Sequence, residues 1–240
     1  MIIGINGKIG SGKDTVGKII QYLTANEEVK QVTTLEEWLD SDDLNGRDFN
    51  WKIKKFAGKL KQIASLLTGI DVEKFEDQDF KQSYMGEQWA KTPIAPLSEA
   101  TLFDAVDLNN LMTYREFLQK LGTEAMRDGL HTNVWVNALF ADYKGRKTKI
   151  HQLTPVKQDF VVDTYPNWII TDMRFPNEME AVKERKGITI KVVRPGVLVG
   201  THASEIALDD AEFDYEIENN GTIEDLVEKV RQILTIEKII

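Results

Sequence analysis

The stretch Gly7-Lys8-Ile9-Gly10-Ser11-Gly12-Lys13-Asp14-Thr15 limits what this chain can fold into more than any other. It follows a short apolar run, Met1 to Ile5, and opens a helical pattern with Val16, Ile19, Ile20 and Leu23 at helical spacing. The spacing from Gly7 to Gly12-Lys13 is that of a Walker A phosphate loop. A polyphosphate is dense negative charge and needs many donors at close range. Glycines let the backbone curl and turn consecutive N–H groups inward as an anion nest. The helix that follows adds partial positive charge at its N-terminus. Lys13 supplies a mobile ammonium that follows charge on a transferring phosphoryl group. The bland alternative is a glycine-rich turn without a ligand. A strand before, a helix after and Lys13 in place argue against it.

The loop departs from the plain pattern after Lys13, where Asp14 stands instead of Ser or Thr, with Thr15 next. A hydroxyl at that position normally ligates Mg²⁺. Asp14 reaches a metal only through its carboxylate or a water. This G-K-D-T ending resembles those of small-molecule phosphotransferases rather than of GTPases or motor ATPases.

The rest of the sequence bounds the partners. A net charge of −9 argues against long nucleic acid, which needs a basic face. A mononucleotide needs only a few local cations. Arginine is scarce, so bidentate phosphate contacts come from a short set or lysines stand in. Mean hydropathy of −0.33 and the lack of an apolar run near the roughly 20 residues that span a bilayer argue against a membrane protein. The absence of cysteine excludes disulfides and fits a cytoplasmic protein.

Along the chain, Ile2, Ile3 and Ile5 read as a buried parallel strand. Glu27 to Asn50 is polar and reads as a surface excursion with one short helix. Trp51 to Phe56 and the helix through Leu67 form a second βα unit, with Lys59 and Lys61 at its turn. Val72 to Glu99 sets aromatics among charges and reads as a flap, or as an insertion with its own small core. Thr113 to Glu116 is a capping box. The helix it opens has Tyr114, Phe117, Leu118, Leu121 and Ala125 as its buried stripe, with Arg115, Gln119 and Gly122 along one edge. Thr132 caps a helix carrying Trp135, Val136, Leu139, Phe140 and Tyr143. Lys144 to Asn167 reads as a hairpin or loop. Trp168 to Asp172 is a hydrophobic strand ending in an acid, the Walker B pattern, which places Asp172 where it holds Mg²⁺ or its water. Arg174 lies two residues on. A helix follows from Pro176 to Lys186, stopped by Gly187. Ile188 to Val193 and Tyr215 to Glu218 read as further strands. The cluster Thr201-His202-Ala203-Ser204-Glu205 is polar and follows a core strand, where His202 reads equally as structural or ligand-facing. A capping box at Thr222 to Asp225 opens a C-terminal amphipathic helix.

Together these residues resemble the phage-type deoxynucleoside monophosphate kinases, a branch of the P-loop nucleoside-phosphate kinases. The matching stretches are G-K-I-G-S-G-K-D-T at 7–15, F-A-G-K-L-K at 56–61, L-Q-K-L-G-T-E at 118–124, T-D-M-R-F-P-N-E at 171–178, V-V-R-P-G at 192–196 and T-H-A-S-E at 201–205. They span nearly the whole chain. The resemblance implies a three-layer α/β/α fold around a mostly parallel sheet, one kinase domain over 1–240. It implies a substrate-side insertion at 70–112 and a lid-like loop at 196–210. It implies ATP contacts at Gly10, Ser11, Gly12, Lys13, Asp14 and Thr15, with Mg²⁺ near Asp172. Monophosphate contacts fall at Lys61, Arg115, Gly122, Trp135, Asp172, Arg174, Glu178 and Thr201. A basic residue of the family aligns with Gln82, beside Lys81. The catalytic set is Lys13, Asp172, Arg174 and Arg115. The expected reaction moves the γ-phosphoryl of ATP to a deoxynucleoside monophosphate, in the host cytoplasm if the chain is phage-encoded, in a homodimer. The alternatives are a dephospho-coenzyme A kinase-like enzyme and a non-catalytic nucleotide-sensing P-loop protein.

Overall fold

The computed structural model describes residues 1–41, 50–91, 108–151, 159–197 and 203–240. Thr201 and His202, Pro93, Pro96 and the acidic stretch at Asp42-Asp43 lie outside them. The described chain divides into two compact units, Met1–Phe56 with Val136–Ile240, and Ala57–Trp135.

The first unit is built on five parallel strands, β1 (Ile2–Gly7), β2 (Trp51–Lys54), β5 (Asn167–Ile170), β6 (Ile188–Val193) and β7 (Tyr215–Glu218). Their order is β2-β5-β1-β6-β7, which puts β1 at the centre. Ile3 lies in register with Ile169 on one side and Ile188 on the other. Both faces of the sheet are covered, as near-continuous apolar strands require. Ile3 and Ile5 face a cluster with Val16, Ile19 and Ile20 of α1 (Lys13–Leu23) and Leu226, Val230 and Leu234 of α10 (Ile223–Ile236). Gly4 points the other way, where a Cβ would meet Met173 Sδ at 2.9 Å and Val182 Cγ1 of α8 (Pro176–Glu184) at 3.3 Å. The alternation of a strand therefore yields the three layers α/β/α. A separate antiparallel hairpin pairs β3 (Arg146–His151) with β4 (Asp159–Thr164). No helix among the described residues is long and apolar enough to cross a membrane.

Two readings of this unit need correction. Among its described residues the polar excursion holds two short helices, α2 (Glu27–Val32) and α3 (Leu35–Asp40), and it is not merely solvated. Trp38 is fully buried edge-on against Tyr22, their ring centroids 5.5 Å apart, and packs with Ala25. A capping box that the sequence reading passed over, Thr34 with Glu37, starts the helix that carries it. Helix α8 ends at Glu184, and Lys186 takes the left-handed turn with φ of 55°. Gly187 is required instead by close approach, since a Cβ there would lie 2.9 Å from the carbonyl oxygen of Ile2.

The second unit is helical. It contains α4 (Ala57–Thr68), a 3₁₀ turn (Val72–Glu76), α5 (Gln78–Gln82), a second 3₁₀ turn (Glu87–Trp89) and α6 (Tyr114–Gln119). Its own core gathers Ala64, Phe75, Met85 and Phe117. Phe80 stacks on Tyr114 at 4.4 Å, and Trp89 meets Phe117 edge-on. The capping box at Thr113 starts α6 as expected. The single helix expected beyond it does not continue as α. Lys120–Asp128 is π-helical, with i→i+5 hydrogen bonds. The buried side of this segment therefore falls at Phe117, Gly122 and Arg127, five apart, and Ala125 is exposed. Gly122 is drawn inward, where a Cβ would sit 2.9 Å from Leu60 Cδ2, while Gln119 is exposed. The expected edge of Arg115, Gln119 and Gly122 does not form. The chain returns to the first unit within α7 (Val134–Phe140).

Candidate nucleotide site

The phosphate loop occupies the carboxyl end of the central strand, the place where open parallel sheets bind ligands. Gly10 and Gly12 hold φ of 81° and 93°, a backbone that side chains rarely adopt. The Ser11 N–H donates to the Lys8 carbonyl at 3.1 Å and closes the turn. Gly12 is the N-cap of α1 and makes no side-chain cap hydrogen bond. The first-turn N–H groups of Lys13, Asp14 and Thr15 are thus the donors an anion would take. The loop is braced from below. Asn219, just past β7, donates its amide to the Ser11 carbonyl at 2.8 Å, while its own N–H binds the Val193 carbonyl at 2.7 Å.

Asp14 is held by several neighbours. Its Oδ1 accepts from the Thr171 hydroxyl at 2.9 Å, and Thr171 is fully buried at the tip of β5. Lys13 Nζ lies 3.5 Å from Asp14 Oδ2, and Lys55 Nζ lies 3.8 Å from Oδ1. Burial alone pushes the Asp14 carboxyl up, but Lys13, Lys55 and the Thr171 hydroxyl outweigh it and hold the group below its usual range. The departure from Ser or Thr after Lys13 thus places an ionised carboxylate beside the loop. The Lys13–Asp14 contact is long, at 3.5 Å, and its carboxylate side is exposed, so the pairing is weak.

Asp172 follows Thr171. Its Oδ1 accepts the Phe56 N–H at 2.8 Å, which ties the end of β5 to the chain beyond β2. Glu178 is 3 % exposed and accepts from the Arg174 N–H at 2.7 Å and the Phe175 N–H at 3.1 Å. It caps α8 from within and shapes the 171–175 loop. The Arg174 guanidinium pairs with Glu205. Lys8, Thr171, Lys55, Glu205 and Asn219 were not among the sequence-derived site residues. Lys8 was visible as a charge inside the loop, whereas Asn219 carried no sequence signal.

In the second unit, Lys61 Nζ pairs with Glu76 Oε1 at 2.5 Å. Arg115 Nη2 donates to Gln78 at 2.8 Å, while its Nε is buried with no hydrogen-bond partner among the described residues. Trp135 is 5 % exposed and gives its indole N–H to the Gly122 carbonyl at 2.9 Å. Gln82 is exposed at the end of α5. Thr201 lies outside the described residues.

The family model for deoxynucleotide monophosphate kinase matches residues 23–230. The chain belongs to this family. The match starts beyond the phosphate loop, so the loop and the family match are independent observations. A protein of Acanthamoeba polyphaga mimivirus is 31 % identical over 127 residues, covering 49 % of this chain and 59 % of its own length. The deoxynucleotide monophosphate kinase of Enterobacteria phage T4 is 28 % identical over 133 residues, covering 54 % and 49 %. The deoxynucleoside-5'-monophosphate kinase of Escherichia phage T5 is 24 % identical over 207 residues, covering 77 % and 72 %. The chain thus spans about half the length of the first curated relatives it matches.

Proposed function

We propose that this member of the family transfers the γ-phosphoryl group of ATP to a deoxynucleoside monophosphate, giving ADP and the diphosphate. The observation that carries the reading is the tie between Asp14 and Thr171. It joins the donor loop to the strand tip that leads into Asp172 and Arg174. The acceptor is already an anion, so no strong general base is needed. Lys13 and the α1 N-terminus take the ATP phosphates, and Arg174 and Arg115 take the acceptor phosphate. Their work is alignment and charge neutralisation.

The residues fit a Mg²⁺ ion. No group of three or more His, Asp or Glu side chains gathers among the described residues. A hard cation of this kind is held by one or two carboxylates plus substrate phosphates and water, and the Asp14 carboxylate is bonded to Thr171, the chain neighbour of Asp172. Asp14 and Asp172 would hold it, and Asp14 is kept ionised for the purpose. When bound, the ion would supply charge neutralisation to the phosphates. Lys61, Gly122, Trp135, Glu178 and Thr201 serve the acceptor side directly or by shaping it.

The test is a coupled ADP-release assay across the four common deoxynucleoside monophosphates and dephospho-coenzyme A. ADP release that requires a deoxynucleoside monophosphate is expected. Release with dephospho-coenzyme A alone, or none at all, overturns the reading.

A further inference from the structure

Glu205 takes no part in the steps above, yet its side chain is only 8 % exposed. A buried carboxylate is costly unless it is paired. Its partner is Arg174. The backbone of the same residue is also held, since the Glu205 carbonyl accepts from Lys8 Nζ at 2.6 Å. That ammonium spends its remaining donors on Asp209, at 2.6 Å to Oδ1 and 2.8 Å to Oδ2. Lys8 stands on the loop after β1, and Arg174 on the loop after β5, its neighbour in the sheet. One residue of α9 (Ala203–Ile206) is therefore fastened to two adjacent strand tips.

An arginine fork recognises a phosphate only when its plane is held at a fixed angle. The Arg174 backbone is fixed by Glu178, but a long side chain needs its own restraint. We infer that Glu205 is a positioning residue for Arg174, and that the Lys8–Asp209 pair fixes the backbone carrying Glu205. The carboxylate holds one edge of the guanidinium so that the fork meets the acceptor phosphate in register. This rests on the reading of Arg174 as a grip on that phosphate.

The test uses the full chain and its best deoxynucleoside monophosphate. Glu205→Gln keeps shape and removes charge. The acceptor KM should rise about tenfold, with the ATP KM changed less than about twofold. In an Arg174→Ala background the same substitution should add nothing, because its effect runs through the missing side chain. An acceptor KM that stays or falls, or full additivity with Arg174→Ala, overturns the positioning role. A fall would mean that Glu205 masks Arg174 instead. An Arg174→Ala variant with normal acceptor KM overturns the reading of Arg174 itself. If the Gln variant fails to fold, Asp209→Asn at an exposed position carries the test. It should raise the acceptor KM about threefold by loosening Lys8, and no change overturns the proposal.

Discussion

At the scale of single residues, the loop asks different things of two neighbours. In the proposed reaction Lys13 has one task, which is to follow charge as it moves between phosphates. Lys13→Ala should lower kcat by about a hundredfold or more in a protein that still folds, as read by steady-state rates and circular dichroism. A variant keeping more than about a tenth of kcat would remove Lys13 from the chemical step. Asp14 has a second task in the fold. Its carboxyl is held below the ordinary value of 3.8, so its ionised form is favoured in the native state. That stabilisation is complete above about pH 5 and disappears as pH falls through the lowered native value. Wild type and Asp14→Asn should therefore differ in stability near pH 7 and converge well below pH 4 in acid unfolding monitored by fluorescence. The side chain is 56 % exposed, so the difference should be small and should shrink with salt. The presence of an acid at 14 was plain in the sequence. Its anchor on Thr171 was not, because the two residues meet only when β1 and β5 lie side by side.

At the scale of elements, strong periodicity and capping signals led directly to structure. The apolar run of β1, the strand before Asp172 and the capping boxes at Thr113 and Thr222 all form as their patterns demand. The same capping rule applied at Thr34 would have found α3, and with it the buried Trp38. A lone tryptophan among acids is a weak signal against that polar background. The π-helix was beyond such rules, since 3.6 residues per turn was assumed through Gly122. Its consequence is a test of Trp135. The indole fills a buried position and satisfies the Gly122 carbonyl inside the π-helix. Trp135→Phe should lower stability by roughly 1–3 kcal/mol, since it leaves a gap and removes a buried hydrogen bond, the Gly122 carbonyl keeping only its partner within the π-helix. Denaturant melts check this. An unchanged melt with an altered acceptor KM would make the residue a pocket wall rather than a brace.

At the scale of the whole molecule, the chain leaves its first unit after Phe56 and returns at Val136. The exit is guarded by Asp172, whose carboxylate holds the Phe56 N–H. The residues assigned to ATP all belong to the first unit. Those assigned to the acceptor are split, with Asp172 and Arg174 in the first unit and Lys61, Arg115 and Trp135 in the second. A ligand that binds only the native state raises the free energy of opening wherever it restrains the chain, by about 2.7 kcal/mol at a hundred times its Kd. Amide hydrogen exchange on the intact protein separates the two ligands. A non-hydrolysable ATP analogue should slow exchange over residues 7–20 and leave Ala57–Trp135 nearly unchanged. The deoxynucleoside monophosphate should slow exchange around α4 and α6 as well as at 171–175. Protection from the monophosphate confined to the first unit would remove Lys61, Arg115 and Trp135 from the acceptor site. The acceptor phosphate would then be held by Arg174 alone among the three candidate cations Lys61, Arg115 and Arg174, and Arg115→Lys should leave the acceptor KM untouched.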